Sequence, residues 1–328
     1  MLKGLLVADS LAHKIKKNAF GSSNETQQTA KTMKLNYKQS KLPSTLTGPP
    51  NLALVPPGVC QFNETWQSVA LLEKTTVSST SAVFRFALPD VSKPLNLSTC
   101  ACILAQADIN GEAVVRPYTP ISTNANVGFF DLLVKDYGEG AKMSRYMHNM
   151  KVGDVLNFKH TSFNVKIQAP FEYDEILMLV GGTGVNPMIQ ALHAMLGEKE
   201  NPVMRAFKTM MRARKTRPVV TMLYGSQYSN EILGRDLLDK WAKADKKHFD
   251  LRHVVSRDAQ DSDWKGRRGH ITREMIEETS FPSATTDTSK KTLILVCGPP
   301  AFYDAMCGPR EEKENVTGIL GQDRKSVV

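Results

Sequence analysis

Seven consecutive residues, Arg116-Pro117-Tyr118-Thr119-Pro120-Ile121-Ser122, place a cation, an aromatic ring and two hydroxyls directly after the apolar pair Val114-Val115. A flavin dinucleotide needs that mix. Its pyrophosphate wants a guanidinium, its ring wants a flat apolar surface, and the N5 edge of the ring wants a small hydrogen-bond donor. The same residues also read as a strand running into a Pro-bounded turn, so the stretch alone leaves both readings open.

Three further motifs follow in order. Gly140-Ala141-Lys142-Met143-Ser144 reads as a Gly-bearing loop entering a helix, whose first amides would face a phosphate. An ordinary helix start with a favoured Ser would look similar. Gly181-Gly182-Thr183-Gly184-Val185-Asn186-Pro187-Met188 follows the apolar run 176–180. Glycines there let a phosphate approach the backbone, and a helix N-terminus favours negative charge. Cys297-Gly298-Pro299-Pro300 follows the apolar run 293–296. A buried cysteine is more often inert packing, so this motif gains meaning only from the others.

The ordered set resembles the ferredoxin reductase-like flavoproteins, and most closely the NADH-cytochrome b5 reductase family, from about residue 66 to about residue 302. The resemblance implies FAD and NADH as cofactors, with NADPH as the alternative. It implies that Arg116 pairs with the flavin pyrophosphate and that Pro117 and Tyr118 lie against the flavin and ribityl portion. Thr119 would reach the N5/O4 edge. Leu133, Lys135 and Tyr137 would line the same site, Lys135 toward the nicotinamide nucleotide phosphates and Tyr137 toward the adenosine of FAD. Gly140, Lys142, Met143 and Ser144 would offer amides, and Ser144 a hydroxyl, to a phosphate. Gly182, Thr183, Gly184 and Pro187 would carry the second nucleotide, with Thr183 also near the flavin. Cys297 would lie near the nicotinamide C4, flanked by Gly298 and Pro299. Thr119 and Cys297 are therefore the candidate catalytic residues, and no general acid or base is required.

The chain departs from the family pattern in places. Ala141 stands where a second Gly is common, and residues 95–100 replace a Gly-Gln-His-like turn. No aromatic follows Tyr303, where the family usually ends in a strand with terminal aromatics. The nucleotide choice turns on Ser256-Arg257-Asp258, after the apolar run 251–255. An acidic residue there would bind ribose hydroxyls, whereas Ser-Arg can grip a 2′-phosphate. The overall family likeness favours NADH.

These motifs need two supports. Runs at 66–72, 82–88, 114–115, 129–135 and 155–158 alternate or carry β-formers, which predicts a small antiparallel barrel interrupted by one helix. Beyond about residue 173 the runs 176–180, 219–224, 251–255 and 293–296 alternate with helical segments, which predicts a parallel sheet. The fold class is thus an antiparallel FAD-binding β-barrel followed by a Rossmann-like parallel α/β nucleotide-binding domain. The boundaries are an extension over 1–60, the barrel over 61–168 and the α/β domain over 169–328.

Composition is that of a globular chain: 328 residues, 41% apolar and 23% charged, with a net charge of +9. The charge has local sources and does not argue for nucleic acid. The first 50 residues hold eight Lys and no Arg against Asp9 and Glu25, as in a targeting segment or an unstructured tail. Residues 197–217 hold seven basic side chains and read as a solvated insertion. No apolar run is long enough to span a bilayer, although peripheral association with a membrane remains open. A mitochondrial location or the cytoplasmic face of a membrane is expected. Five cysteines, with Cys100-x-Cys102 the one close pair, give neither a disulfide framework nor a metal spacing.

The expected function is hydride transfer from NAD(P)H to flavin N5, followed by single-electron release to an acidic haem protein such as cytochrome b5. The first alternative is the same chemistry serving ferredoxin, a quinone or a metal chelate. The second is a non-catalytic nucleotide-binding or basic interaction protein.

Overall fold

The structure is a computed structural model that describes residues 5–6, 42–55, 59–161, 169–197, 217–279, 281, 290–309 and 317–321. The Lys-rich stretch read as a targeting segment falls almost wholly outside these residues, as do nearly all of the basic insertion at 197–217 and the last seven residues. The chain divides into two compact units, one built mainly from Val55–Asn164 and one mainly from Val165–Val328.

A two-residue strand, β1 (Leu5–Leu6), belongs to the second unit. The first unit contains β2 (Gln67–Ser78), β3 (Ser81–Ala87), β4 (Ile103–Ile109), β5 (Glu112–Tyr118), β6 (Phe129–Lys135), helix α1 (Lys142–Asn149) and β7 (Val155–Lys159). Its strands form a curled antiparallel sheet in the order β5-β4-β7-β2-β3-β6. The Ile121 amide donates to the Asp131 carbonyl at 2.9 Å, so the chain leaving β5 returns to β6 at the far edge. Phe62, Phe86, Phe130 and Phe158 fill the middle, with ring centroids 5.0 to 5.9 Å apart. Each such burial contributes roughly 1.5–3 kcal/mol.

Strand β4 was not read from the sequence. Its run Ile103-Leu-Ala-Gln-Ala-Asp-Ile109 carries small and polar residues in place of the β-branched pattern. It is nonetheless flanked on both sides, by β5 and β7, and most of it is buried.

Inside this unit lies a charged hub. The Arg85 guanidinium grips the Asp131 carboxylate with two bonds of 2.8 and 2.9 Å. Asp131 is fully buried, and the Thr45 hydroxyl donates to the same carboxylate at 2.7 Å. The Asp131 amide donates to the Ser122 hydroxyl at 2.9 Å. Arg85 also lies 4.0 Å over the Phe129 ring.

The second unit holds β8 (Glu175–Gly181), α2 (Val185–Leu196), β9 (Val219–Ser226), α3 (Arg235–Ala244), β10 (Phe249–Val255), β11 (Arg267–Arg268), α4 (Arg273–Glu277), β12 (Thr292–Cys297) and α5 (Pro300–Cys307). The sheet is parallel throughout, in the order β1-β12-β8-β9-β10-β11. Every residue of β8 is buried, as a central parallel strand requires.

The extension assigned to residues 1–60 is too long. Thr45 and Leu46 are buried, in a turn belonging to the first unit. Gly48–Leu54 belongs to the second unit, where Leu52 is buried. There the Asn51 amide donates to His193 Nδ1 at 2.8 Å, and Trp241 Nε1 donates to the Gly48 carbonyl at 2.9 Å. The prolines around this segment read as punctuation before the fold, but the apolar residues between them pack within it.

Two outcomes follow. Burial pulls the His193 imidazole down to about 4, so its neutral form accepts the Asn51 proton. The unfolded chain takes up a proton near pH 6.5 while the folded state resists until about 4. Stability should therefore fall by on the order of 3 kcal/mol as pH drops through that window. Denaturant titrations at several pH values should show the slope in the wild type and not in His193→Gln. Separately, Asp131→Ala removes the bidentate partner of the buried Arg85 and leaves it the longer 3.4 Å contact to Glu73, and should cost about 3 kcal/mol. Replacing both partners with apolar residues should recover much of that loss, as read by urea melts.

Candidate active site

The Arg116 motif occupies the sheet edge. Strand β5 pairs only with β4, so Pro117 costs no ladder bond on its free side. Arg116 and Tyr118 lie two residues apart and share a face of the strand. Arg116 is exposed, and its guanidinium reaches only the Val115 carbonyl, at 2.7 Å. Burial pushes the Tyr118 phenol well up, with Arg116 opposing and Tyr137 adding to the effect. These three residues therefore form one cluster. Thr119 is buried, and its hydroxyl has no partner among the described residues. Two residues on, Ile121 and Ser122 are fixed to Asp131, which pins the motif from its C-terminal side.

Leu133 and Lys135 lie on β6, opposite Val83 and Ser81. The Leu133 side chain is buried, so at this position only backbone can meet a ligand. Tyr137 is 53% exposed just beyond the strand. The loop to α1 is built by Asp136, whose carboxylate accepts from the Gly138 amide at 2.9 Å and pairs with Arg145 at 2.6 Å. Burial opposes ionisation of Asp136, but the Gly138 amide and Arg145 outweigh it and hold the carboxyl low. Gly138 takes a φ of +84°, which the turn requires.

Gly140 is exposed, and Ala141 occupies the N-cap of α1. No side chain caps this helix, and its first turn holds no acid. The amides of Lys142, Met143 and Ser144 are thus left for an anion. The hydroxyl expected of Ser144 is engaged within the protein, and so is the Lys142 side chain. Lys142 pairs with Glu112 on β5, and the Ser144 hydroxyl donates to the Ala141 carbonyl at 3.2 Å. These contacts leave the backbone amides as the groups open to a ligand.

In the second unit, the Gly-rich loop continues β8. Gly182–Gly184 makes a single tight turn into α2, with Gly182 at a φ of +52°. Neither this turn nor α2 has a side-chain cap or an acidic first turn. Pro187 is the third residue of α2, where its missing N–H costs nothing. Thr183 is half-buried beside the turn. The Tyr224 hydroxyl, on β9, bridges the carbonyls of Gly182 and Leu233 at 3.1 and 3.3 Å.

Backbone closeness explains the third glycine. A Cβ on Gly184 would stand 2.2 Å from the Cys297 carbonyl oxygen and 2.8 Å from the Gly298 nitrogen. A Cβ on Gly298 would meet the Phe302 ring at 2.5 Å and the Gly181 Cα at 3.2 Å. The Gly loop and the Cys297-Gly298-Pro299 loop therefore touch backbone to backbone. Cys297 ends β12 half-buried, and Pro299 caps α5. Ser256 and Arg257 follow β10 at the same carboxyl edge of the sheet. Their amides donate to the Ser226 and Gln227 carbonyls at 3.0 and 2.8 Å. Such edges hold ligands in open α/β sheets.

Several residues escaped the sequence reading. Glu112, Asp136 and Arg145 fix the α1 loop, and Phe302 and Tyr224 fix the Gly loops. The run Asp136-Tyr-Gly138 carried a turn signal that could have found the first group. The packing of Phe302 on glycines has no local signature.

Fold and loops together define a two-unit oxidoreductase with one flavin and one nicotinamide nucleotide half-site. Residues 68–166 match the oxidoreductase FAD-binding domain, and residues 178–308 match the oxidoreductase NAD-binding domain. NADH-cytochrome b5 reductase 1 of Scheffersomyces stipitis is 35% identical over 243 residues, covering 74% of this chain and 77% of that protein. The rat reductase of the same name is 32% identical, over 74% of this chain and 80% of its own length. The cytochrome b5 reductase domain of Ulva prolifera nitrate reductase superposes with a TM-score of 0.58 at 25% identity, covering 80% of this chain and 95% of that one. The chain belongs to the NADH-cytochrome b5 reductase family.

Gly184→Ala should force the two loops apart. It should destabilise the protein by about 1–3 kcal/mol and weaken nicotinamide nucleotide binding more than FAD binding. Thermal melts and separate titrations with each cofactor check this.

Proposed function

We propose that the chain is an FAD-dependent NAD(P)H reductase whose acceptor is a haem protein of the cytochrome b5 type. Bound FAD would supply the means to accept a hydride from a nicotinamide nucleotide and to release electrons singly to a haem. The residues fit the flavin. Arg116 offers an exposed guanidinium bonded only to the Val115 carbonyl among the described residues, α1 offers uncapped amides, and Tyr118 offers a half-buried ring on the same strand as Arg116. The Thr119 hydroxyl, unpartnered among the described residues, is free to orient the ring edge. The nucleotide half-site fits as well, through the uncapped Gly182–Gly184 turn and the backbone contact that fixes Cys297.

The observation that carries this reading is the pairing of two uncapped, acid-free helix starts with the exposed Arg116. Each can receive an anion, and each lies within the residues that the FAD- and NAD-binding domain matches cover. No side chain need move a proton, so the protein's work is placement. Among the described residues, no helix is long and apolar enough to cross a membrane. The basic balance of the chain, +9, suits association with an acidic partner.

Anaerobic titration of the FAD-loaded protein tests this. NADH or NADPH should bleach the flavin band near about 450 nm at roughly one equivalent, and oxidised cytochrome b5 should then restore it. A folded, FAD-loaded protein that neither nucleotide bleaches would sink the proposal. Bleaching without reoxidation by cytochrome b5 would move the acceptor to a ferredoxin, quinone or metal chelate.

A further inference from the structure

We infer that α1 is aimed from its far end, and that Lys74 and His148 are positioning residues for a phosphate received at its start. The inference rests on the flavin reading of the first unit and concerns two residues outside its motifs. Helix α1 has eight residues, so it is a rod of about 12 Å. A slide or tilt of one end displaces the amides of Lys142, Met143 and Ser144 at the other. Burial alone does not prevent such movement. Met143 and Met147 carry the buried face one turn apart, and their flexible thioether side chains adapt to a shifted neighbour. Hydrogen bonds have direction, and they resist it.

The directed contacts gather at the last turn. Lys74, on β2, donates from Nζ to the His148 carbonyl. That carbonyl is one of the four that the helix cannot satisfy itself, and a cation there answers the negative end of the helix dipole. The same Nζ lies 5.6 Å from the centre of the Phe84 ring. The His148 ring stands edge-on to Phe84 with centroids 5.2 Å apart, and its Nε2 lies 3.1 Å from the Val134 carbonyl. A carbonyl only accepts, so Nε2 carries the proton. Phe84 is fully buried on β3, directly across from Lys74, and Val134 is on β6. Three strands thus hold one helix end. The start is held differently. It has no side-chain cap, and Lys142–Glu112 and Arg145–Asp136 are pairs with exposed cations, which hold a helix weakly. A firm end and an open start leave the first amides accessible and fixed in direction.

FAD retention by the full-length holoenzyme tests this, read on dilution as the rise in free flavin fluorescence. Lys74→Met and His148→Leu should each weaken retention by about fivefold, the scale of one contact at a helix end. Lys74→Arg keeps a cationic donor and His148→Gln keeps an N–H for Val134, so both should stay near the wild type. Each variant is also melted at saturating FAD, and retention is compared well below the midpoint, so that unfolded protein does not contribute to release. Calorimetric titration of the FAD-loaded variants with NAD+ should give the wild-type affinity throughout. Equal retention by the wild type, Lys74→Met and His148→Leu would overturn the inference. So would a Lys74→Arg variant that loses FAD as Lys74→Met does, or a loss of NAD+ affinity as large as the loss of FAD. A wild type that holds no FAD would instead bring down the flavin reading itself.

Discussion

The Arg85–Asp131 pair is the constraint on which the flavin half depends. Two charges out of water cost several kcal/mol each, and only excellent geometry offsets that. Here the guanidinium and carboxylate meet bidentately, a Thr45 hydroxyl takes a further lone pair, and Phe129 lies over the cation. The pair joins β3 to β6, and the Asp131 backbone then fixes Ile121 and Ser122. The Arg116–Thr119 strand end is thereby held from a residue that itself cannot move. Three sequence-distant pieces, near residues 45, 85 and 120, converge on one residue, the first two on its side chain and the third on its backbone. An apolar core would have allowed these elements to slide, because dispersion has no direction, whereas the pair fixes register.

The second half-site is fixed by closeness. Gly184 has a Cys297 peptide where its side chain would be, and Gly298 has Phe302 and Gly181. The loops from β8 and β12, adjacent strands in the sheet, are thus locked by absent atoms. This explains why glycines recur in the loop beyond the needs of phosphate approach. One of them, Gly182, serves its φ, and another, Gly184, serves contact between loops. The two requirements look alike in a sequence and have different costs when violated.

The broad architecture was legible because its signals are periodic or punctuated. The fully buried β8 announced itself as a continuous apolar run, and Gly182-Thr183-Gly184 announced the turn that follows it. Strand β4 stayed hidden because Ala105 and Ala107, two of its buried positions, carry little β signal although the strand is held on both sides. The packing of residues 43–54 also stayed hidden. A Pro-rich, polar stretch reads as a linker, and its anchors are backbone groups of Gly48 and Asn51 meeting Trp241 and His193 from far along the chain. At the start of α1 the side chains of Lys142 and Ser144 are engaged within the protein. Their side chains turn to Glu112 and to Ala141, which no local pattern foretells.

Chemistry and specificity are written in different materials in this chain. The loop Gly182–Gly184 relies on backbone and glycine, and a side chain at Gly184 would meet the Cys297 peptide. The edge of β9 and β10 uses side chains on exposed loops, where one substitution changes the charge a ligand meets without touching the core. Ser256 and Arg257 sit there on a loop whose shape is set by Arg268 and its carbonyl partners. A rigid loop with a free cation is a better selector than a mobile one, because little ordering entropy opposes binding.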